Sequence, residues 1–171
     1  MRMNVKLVLP LILLAEPTWA DCGGSEQTFL TCQIENSSKS VSVCFDDEIA
    51  TYRFGPKMGI PELELTEPIA SLGYTPWPGA GDTLWEEVMF SNSGYTYTVV
   101  SGLKRTFPDE KDAVVVEGLF GGVLVRRGEE EIANFSCDPF SVYYDFMGAL
   151  SLAKNRLGFI YSDGGWVRLP D

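Results

Sequence analysis

The 171-residue chain contains no histidine. That absence removes Ser-His-Asp and Cys-His nucleophile systems and every imidazole metal site. Basic residues are scarce as well: 13 Lys and Arg stand against 24 Asp and Glu, for a net charge of -11. Such a surface repels nucleic acid and anionic lipid and favours solubility or a basic partner. No Cys-x-x-Cys redox pair occurs, and the pairs Gly23-Gly24 and Gly121-Gly122 lack the strand-to-helix context of a phosphate loop. No cofactor and no metal is expected. Apolar runs long enough to span a bilayer, about 20 residues, are missing too. The longest lies at the front, where residues 1–20 combine Arg2 and Lys6, an apolar stretch over residues 7–15 and a small residue at Ala20. This is the form of a secretory signal peptide, which predicts a periplasmic or secreted product, residues 21–171, folded as a single domain with no membrane span.

Four cysteines behind such a leader predict two disulfides. Strand parity selects the pairing. Cys32 shares the inward parity of Leu30 and Ile34, and Cys137 that of Ala133 and Phe135, whereas Cys44 opposes Val43 and Phe45. The expected pairs are therefore Cys32 with Cys137 and Cys22 with Cys44.

Apolar and polar residues alternate through Leu30, Cys32 and Ile34, through Val41, Val43 and Phe45, and through Ile49 and Tyr52. Three short strands follow from that period of two. Between Pro61 and Pro68, Leu63 and Leu65 alternate with Glu62, Glu64 and Glu67, the pattern of an edge strand with one wet face. Residues 71–82 are rich in breakers and carry Tyr74 and Trp77, so a long loop is expected there. Residues 84–101 form the clearest hairpin; with Asn92 and Ser93 in the turn, Phe90 would face Tyr95, Val88 Tyr97 and Glu86 Val99. The acidic run of Asp109, Glu110 and Asp112 matches no calcium loop and is expected to be solvated. Strands over 113–117, 122–127 and 131–137 follow, with Phe120-Gly121-Gly122 as a bulge or tight link between the first two. Asp138-Pro139 supplies a helix cap and first position, and Val142, Phe146, Ala149, Leu150, Ala153 and Leu157 recur at helical spacing. A helix over 139–157, stopped by Gly158, should pack on the sheet. Residues 159–161 and 166–169 form a closing hairpin.

Without histidine, hydrolytic chemistry would need paired carboxylates. Glu86 is the one acid placed on an apolar face, and its neighbour Glu87 points the other way. A carboxylate-based glycosidase is thus the least favoured reading, with no catalytic residue assigned. The loop over 71–82 offers recognition chemistry instead: Tyr74 and Trp77 as anchors, with Asp82, Glu86 and Glu87 to meet basic groups.

The chain resembles uncharacterised exported proteins of Gram-negative bacteria in its Lys39-Ser40-Val41-Ser42-Val43-Cys44 and Tyr52-Arg53-Phe54-Gly55-Pro56 stretches, and in Gly122-Val123-Leu124-Val125-Arg126-Arg127-Gly128 followed by Cys137. More distantly it is similar to the periplasmic inhibitors of c-type lysozyme, small antiparallel β-barrels whose first and last strands are joined by a disulfide. Cys32, Lys39, Val41, Val43 and Cys137 take the corresponding places. Those inhibitors plug the enzyme cleft with loop serine and lysine residues in a Ser-Gly-x-x-Tyr context, which Ser71-Leu72-Gly73-Tyr74 approximates; the C-terminal helix is an addition. The expectation is a mainly β domain, an antiparallel barrel or sandwich of about nine strands with one C-terminal helix. Its function would be binding as a monomer, with a basic protein such as lysozyme as partner and Ser71, Tyr74 and Trp77 at the interface. The alternative is a structural, envelope-associated domain with no enzyme target.

Overall fold

A computed structural model describes residues 22–107, 114–145 and 147–170. The leader (residues 1–20), the run of Asp109, Glu110 and Asp112, and Phe146 lie outside the described residues. No described helix is long and apolar enough to cross a membrane.

Two antiparallel meanders make the body. Strands β1 (Gln27–Gln33), β2 (Lys39–Phe45), β3 (Ile49–Pro56) and β4 (Leu63–Pro68) form one sheet in chain order. Strands β5 (Gly73–Thr75), β6 (Thr83–Asn92), β7 (Tyr95–Thr106), β8 (Val115–Arg127) and β9 (Glu130–Ser136) form the second. Their inner faces meet through aromatic rings: Tyr52 lies 5.7 Å from both Phe90 and Tyr97, and Phe54 lies 5.5 Å from Phe135. Leu30, Val41, Val43, Phe45, Val88, Val99 and Val123 fill the space around them. The layers are those of a sandwich, and the closed barrel of the lysozyme-inhibitor resemblance does not form. The described residues contain eleven strands against the expected nine or so: the loop over 71–82 includes β5, and the expected closing hairpin is β10 (Phe159–Ser162) and β11 (Gly165–Arg168).

Both disulfides pair as parity predicted, Cys22 with Cys44 and Cys32 with Cys137. The acid-leucine strand β4 is indeed at an edge. Ile49, however, is 46 % exposed while Ala50 and Tyr52 are buried. Ile49 and Tyr52 have opposite parity and so lie on opposite faces of β3; Tyr52 belongs to the core between the sheets.

Strands β6 and β7 turn on Ser93 and Gly94, with Asn92 opposite Tyr95, Phe90 opposite Tyr97 and Val88 opposite Val99. Both turn residues have positive φ, 52° and 83°, the demand of a two-residue hairpin turn that Gly94 meets without strain. A turn on Asn92 and Ser93 would be two pairs out of register. The shift is even, so the same side chains still face inward. Strand β8 runs unbroken through Phe120-Gly121-Gly122, where the sequence suggests a bulge or tight link between two strands. A Cβ on Gly121 would lie 2.8 Å from the Leu30 side chain and 3.1 Å from Cys137 Sγ; the missing side chain admits the disulfide and the facing sheet.

The helix expected over 139–157 is much shorter. Asp138 does cap, its side chain accepting from Phe140 N at 3.0 Å, but only a single 3-10 turn follows, Pro139–Ser141. Helix α1 spans Ala149–Arg156 and starts at Gly148, whose φ is 86°. The residues between are claimed by the free edge of β1: Thr31 and Tyr143 exchange backbone hydrogen bonds at 2.8 and 2.9 Å, Asp138 N donates to Gln33 O, and Asp145 N to Thr28 O. Unpaired strand donors and acceptors outweigh the helical preference of this segment. Val142, Ala149, Leu150 and Ala153 are buried all the same.

The two disulfides close loops of very different size, with sequence separations of 105 and 22 residues. In the chain-entropy account, removing the pair Cys32/Cys137 by double serine substitution costs about 4–5 kcal/mol, and removing Cys22/Cys44 about 3 kcal/mol. Urea midpoints of the two variants check the order; equal losses, or a larger loss for Cys22/Cys44, would contradict it.

Candidate functional site

The six residues singled out for recognition fall in three environments. Tyr74 and Glu86 come together inside the molecule. Strand β5 pairs with β6 so that Tyr74 sits opposite Val88, and its hydroxyl donates to Glu86 Oε1 at 2.6 Å while lying 3.0 Å from Ser151 Oγ of α1. The same carboxylate oxygen accepts from Gly148 N at 2.9 Å, at the start of the helix. Glu86 is 6 % exposed and Tyr74 3 %, so neither reaches a partner. Burial, reinforced by the Glu86 charge, pushes the Tyr74 hydroxyl far above the usual phenol range. Burial likewise raises the Glu86 carboxyl, against the lowering effect of its bonds to Tyr74 and Gly148.

Trp166 of β11 extends this interior. Its ring stacks on Tyr74 at 5.6 Å and its indole N–H donates to Tyr74 O at 2.8 Å. Lys154, 1 % exposed, donates to Ile69 O at 2.8 Å and lies 5.4 Å from the Trp166 ring and 5.6 Å from that of Phe159. Burial lowers its pKa. Cation, rings and carboxylate lock α1 and the β10–β11 hairpin onto the second sheet. In the sequence Lys154 reads as a basic residue in a last helical turn, and nothing marks it as buried.

Trp77 and Asp82 belong to the outer part of the loop. Trp77 is half-buried, its indole N–H donating to Ala80 O at 3.1 Å with the Arg105 guanidinium 5.4 Å from the ring. Arg105 also donates to Asp82 O at 3.2 Å. The Asp82 side chain is exposed. Ser71 is exposed in the turn after β4, and Glu87 lies on the outer face of β6 opposite Thr75. The structure thus joins Tyr74 to Glu86, and brings neither Ser71 nor Glu87 to them.

Two further features stand out at the surface. One is the tip of the β6–β7 hairpin, where Ser93 and Gly94 are exposed and Ser93 Oγ donates to Asn92 Oδ1 at 3.0 Å. Beside it Arg127 pairs with Tyr95 across β7 and β8 and lies 5.5 Å from the Tyr95 ring. The adjoining β8–β9 turn carries exposed Glu129, and β9 opens on exposed Glu130 and Glu131. The other is a groove of about 600 Å³ over the outer face of β1 and β2, between the segment bearing Cys22 and Glu26 and that bearing Phe140 and Asp145. No described group of three or more Asp, Glu or Cys residues could hold a metal ion.

Two changes test the interior network. Tyr74→Phe removes a hydroxyl that donates to a carboxylate and lowers stability by about 1.5–3 kcal/mol in urea unfolding. Glu86→Gln keeps an acceptor for Tyr74 and Gly148 while removing the ionisation. Because the folded-state pKa is raised above its ordinary 4.5, the folded chain holds that proton where the unfolded chain has released it. The resulting contribution is lost as pH rises from 4.5 through the raised value. Glu86→Gln therefore gains on the parent as pH rises across that window. A parent-to-variant difference constant with pH would show that the carboxyl titrates alike in both states.

No protein-family model, curated protein or solved structure matches the chain, so its function is argued from its own side chains.

Proposed function

We propose that this is an exported, disulfide-braced binding protein that inhibits a basic cell-wall hydrolase such as lysozyme, acting as a monomer and by occlusion rather than by catalysis. The observation that carries the reading is the tip of the β6–β7 hairpin. Ser93-Gly94-Tyr95-Thr96-Tyr97 fits, letter for letter, the Ser-Gly-x-x-Tyr context in which the periplasmic lysozyme inhibitors carry their cleft-plugging serine, whereas Ser71-Leu72-Gly73-Tyr74 only approximates it. Both turn residues are exposed, and a tight turn with few side-chain degrees of freedom enters a cleft at low entropic cost. Tyr97 anchors the base of the hairpin against Tyr52. Arg127 beside the tip provides the cation that the inhibitors draw from lysine, and Glu129, Glu130 and Glu131 at the adjoining turn and the start of β9 complement a basic rim around such a cleft. Two disulfides suit the oxidising compartment in which such an enzyme is met.

Muramidase activity of c-type, g-type and invertebrate-type lysozymes, with the purified protein at equimolar and higher ratios, tests the proposal. Inhibition of at least one type is expected, weakening as salt rises. Ser93→Asp, tolerated at positive φ, should raise the half-inhibitory concentration about tenfold or more, while Ser71→Asp leaves it unchanged. Activity of all three types unaffected would remove the proposal, and loss of inhibition through Ser71→Asp alone would return the contact to the loop over 71–82.

A further inference from the structure

The groove over β1 and β2 is independent of the hairpin tip, and its chemistry differs. We propose that it is a binding site for a neutral oligosaccharide. Its floor is a sheet face of small hydroxyl and amide side chains: Thr31, Gln33, Ser40 and Ser42. Of their strand neighbours, Val43 is buried in the core, and Cys32 and Val41 are buried there while also bordering the groove. Gln33 donates through Nε2 to Ser37 O at 2.9 Å, a bond that fixes the amide and leaves its carbonyl as an acceptor. Ser42 is 5 % exposed, and its Oγ is the single buried side-chain oxygen or nitrogen among the described residues with no hydrogen-bond partner. A buried orphan hydroxyl is unfavourable in an isolated fold and is accounted for when a ligand completes it.

Above this polar floor stand two aromatics. Phe140 is 101 % exposed, so its ring is covered by nothing in its own chain, and Tyr143 is 54 % exposed. Flat apolar rings beside a hydroxyl-rich floor match the two surfaces of a pyranose, whose C–H face is apolar and whose rim is hydroxyl. The wall that presents them is already fixed. Asp145 accepts from Thr28 N at 2.5 Å and from Tyr143 O–H at 2.6 Å, and Ser141 Oγ accepts from Gln33 N at 2.9 Å. Both Asp145 oxygens are thereby engaged, and Glu26 accepts from Gly23 N; with two acids against the one lining cation, Lys57, the groove disfavours an anionic ligand. A peptide is disfavoured on separate grounds. Extended peptides pair with an open strand edge, and the edge of β1 is already occupied by the segment through Tyr143. The volume, about 600 Å³, suits a short chain of sugar rings rather than a single ion.

The test is titration of isotope-labelled protein with N-acetylchitotriose, cellotriose and maltotriose, followed by amide chemical shifts. At least one of them should give saturable shifts confined to β1, β2 and residues 140–145. Phe140→Ala removes a ring that contributes nothing to the interior, so the spectrum stays folded while affinity falls about tenfold or more. Ser42→Ala should also weaken binding without lowering the unfolding temperature, which a purely structural hydroxyl would not do. The proposal is overturned by an absence of saturable shifts with all three sugars at millimolar concentration, by shifts centred elsewhere, or by unchanged affinity in Phe140→Ala. A response to charged hexapeptides alone overturns it equally. None of these outcomes bears on lysozyme inhibition through Ser93, which is read by a separate assay.

Discussion

The free edge of β1 is the constraint on which the architecture turns. A first strand in a meander has one side unpaired, and here that side is taken by residues 136–145, which leave the second sheet and run back along the first. Glu35 N bonds Ser136 O, Cys137 N reaches Gly121 O of β8, and Asp138 N, Tyr143 N and Asp145 N bond β1 carbonyls in succession. The Cys32–Cys137 disulfide lies inside this ladder. Covalent and hydrogen-bonded closure therefore coincide at one seam between the sheets, and an edge that would otherwise invite pairing with another chain is covered.

Much of the remaining structure follows from that seam. Because the segment through Tyr143 must stay extended, helix formation waits until Gly148, and a helix begun there brings Ser151 and Lys154 over Tyr74 and Ile69. Glu86 then serves the helix start as well as the tyrosine. A carboxylate whose neighbours suggest catalysis is in this fold a fastening between β6 and α1. The seam also raises the wall that displays Phe140 and Tyr143 over the β1–β2 floor. Rigid interior and the two proposed recognition surfaces are separated in space: the former lies between sheets and helix, the latter at the Ser93 tip and in the groove.

Period-two alternation made the sheet faces, the edge position of β4 and both disulfide pairs legible before any coordinates, since parity alone decides which cysteine points inward. Parity does not fix register, which is why the β6–β7 hairpin kept its faces while its turn moved to Ser93 and Gly94. The helical stripe through Val142 and Leu150 misled for a related reason. An apolar spacing compatible with a helix is also met when Val142 is buried from an extended segment, and the competing demand came from an edge more than a hundred residues earlier. Tyr74 was read as a loop anchor because breakers surround it, yet β5 needs only three residues, and Gly73 permits them by lying against Met89, whose Cβ would be 3.1 Å from an added Cβ. The buried Lys154 and the groove had no sequence signal at all, because both depend on which distant segments meet.

Native-state hydrogen exchange at the seam tests its role most directly. If closure of β1 is the structural keystone, the amides of Thr31, Asp138 and Tyr143 exchange only through global unfolding, with the same free energy and denaturant dependence as Val43 and Val99 in the central strands. Exchange of the three amides through a local opening well below the global value, with the sandwich intact, would contradict it and leave residues 136–145 as a covering rather than a support.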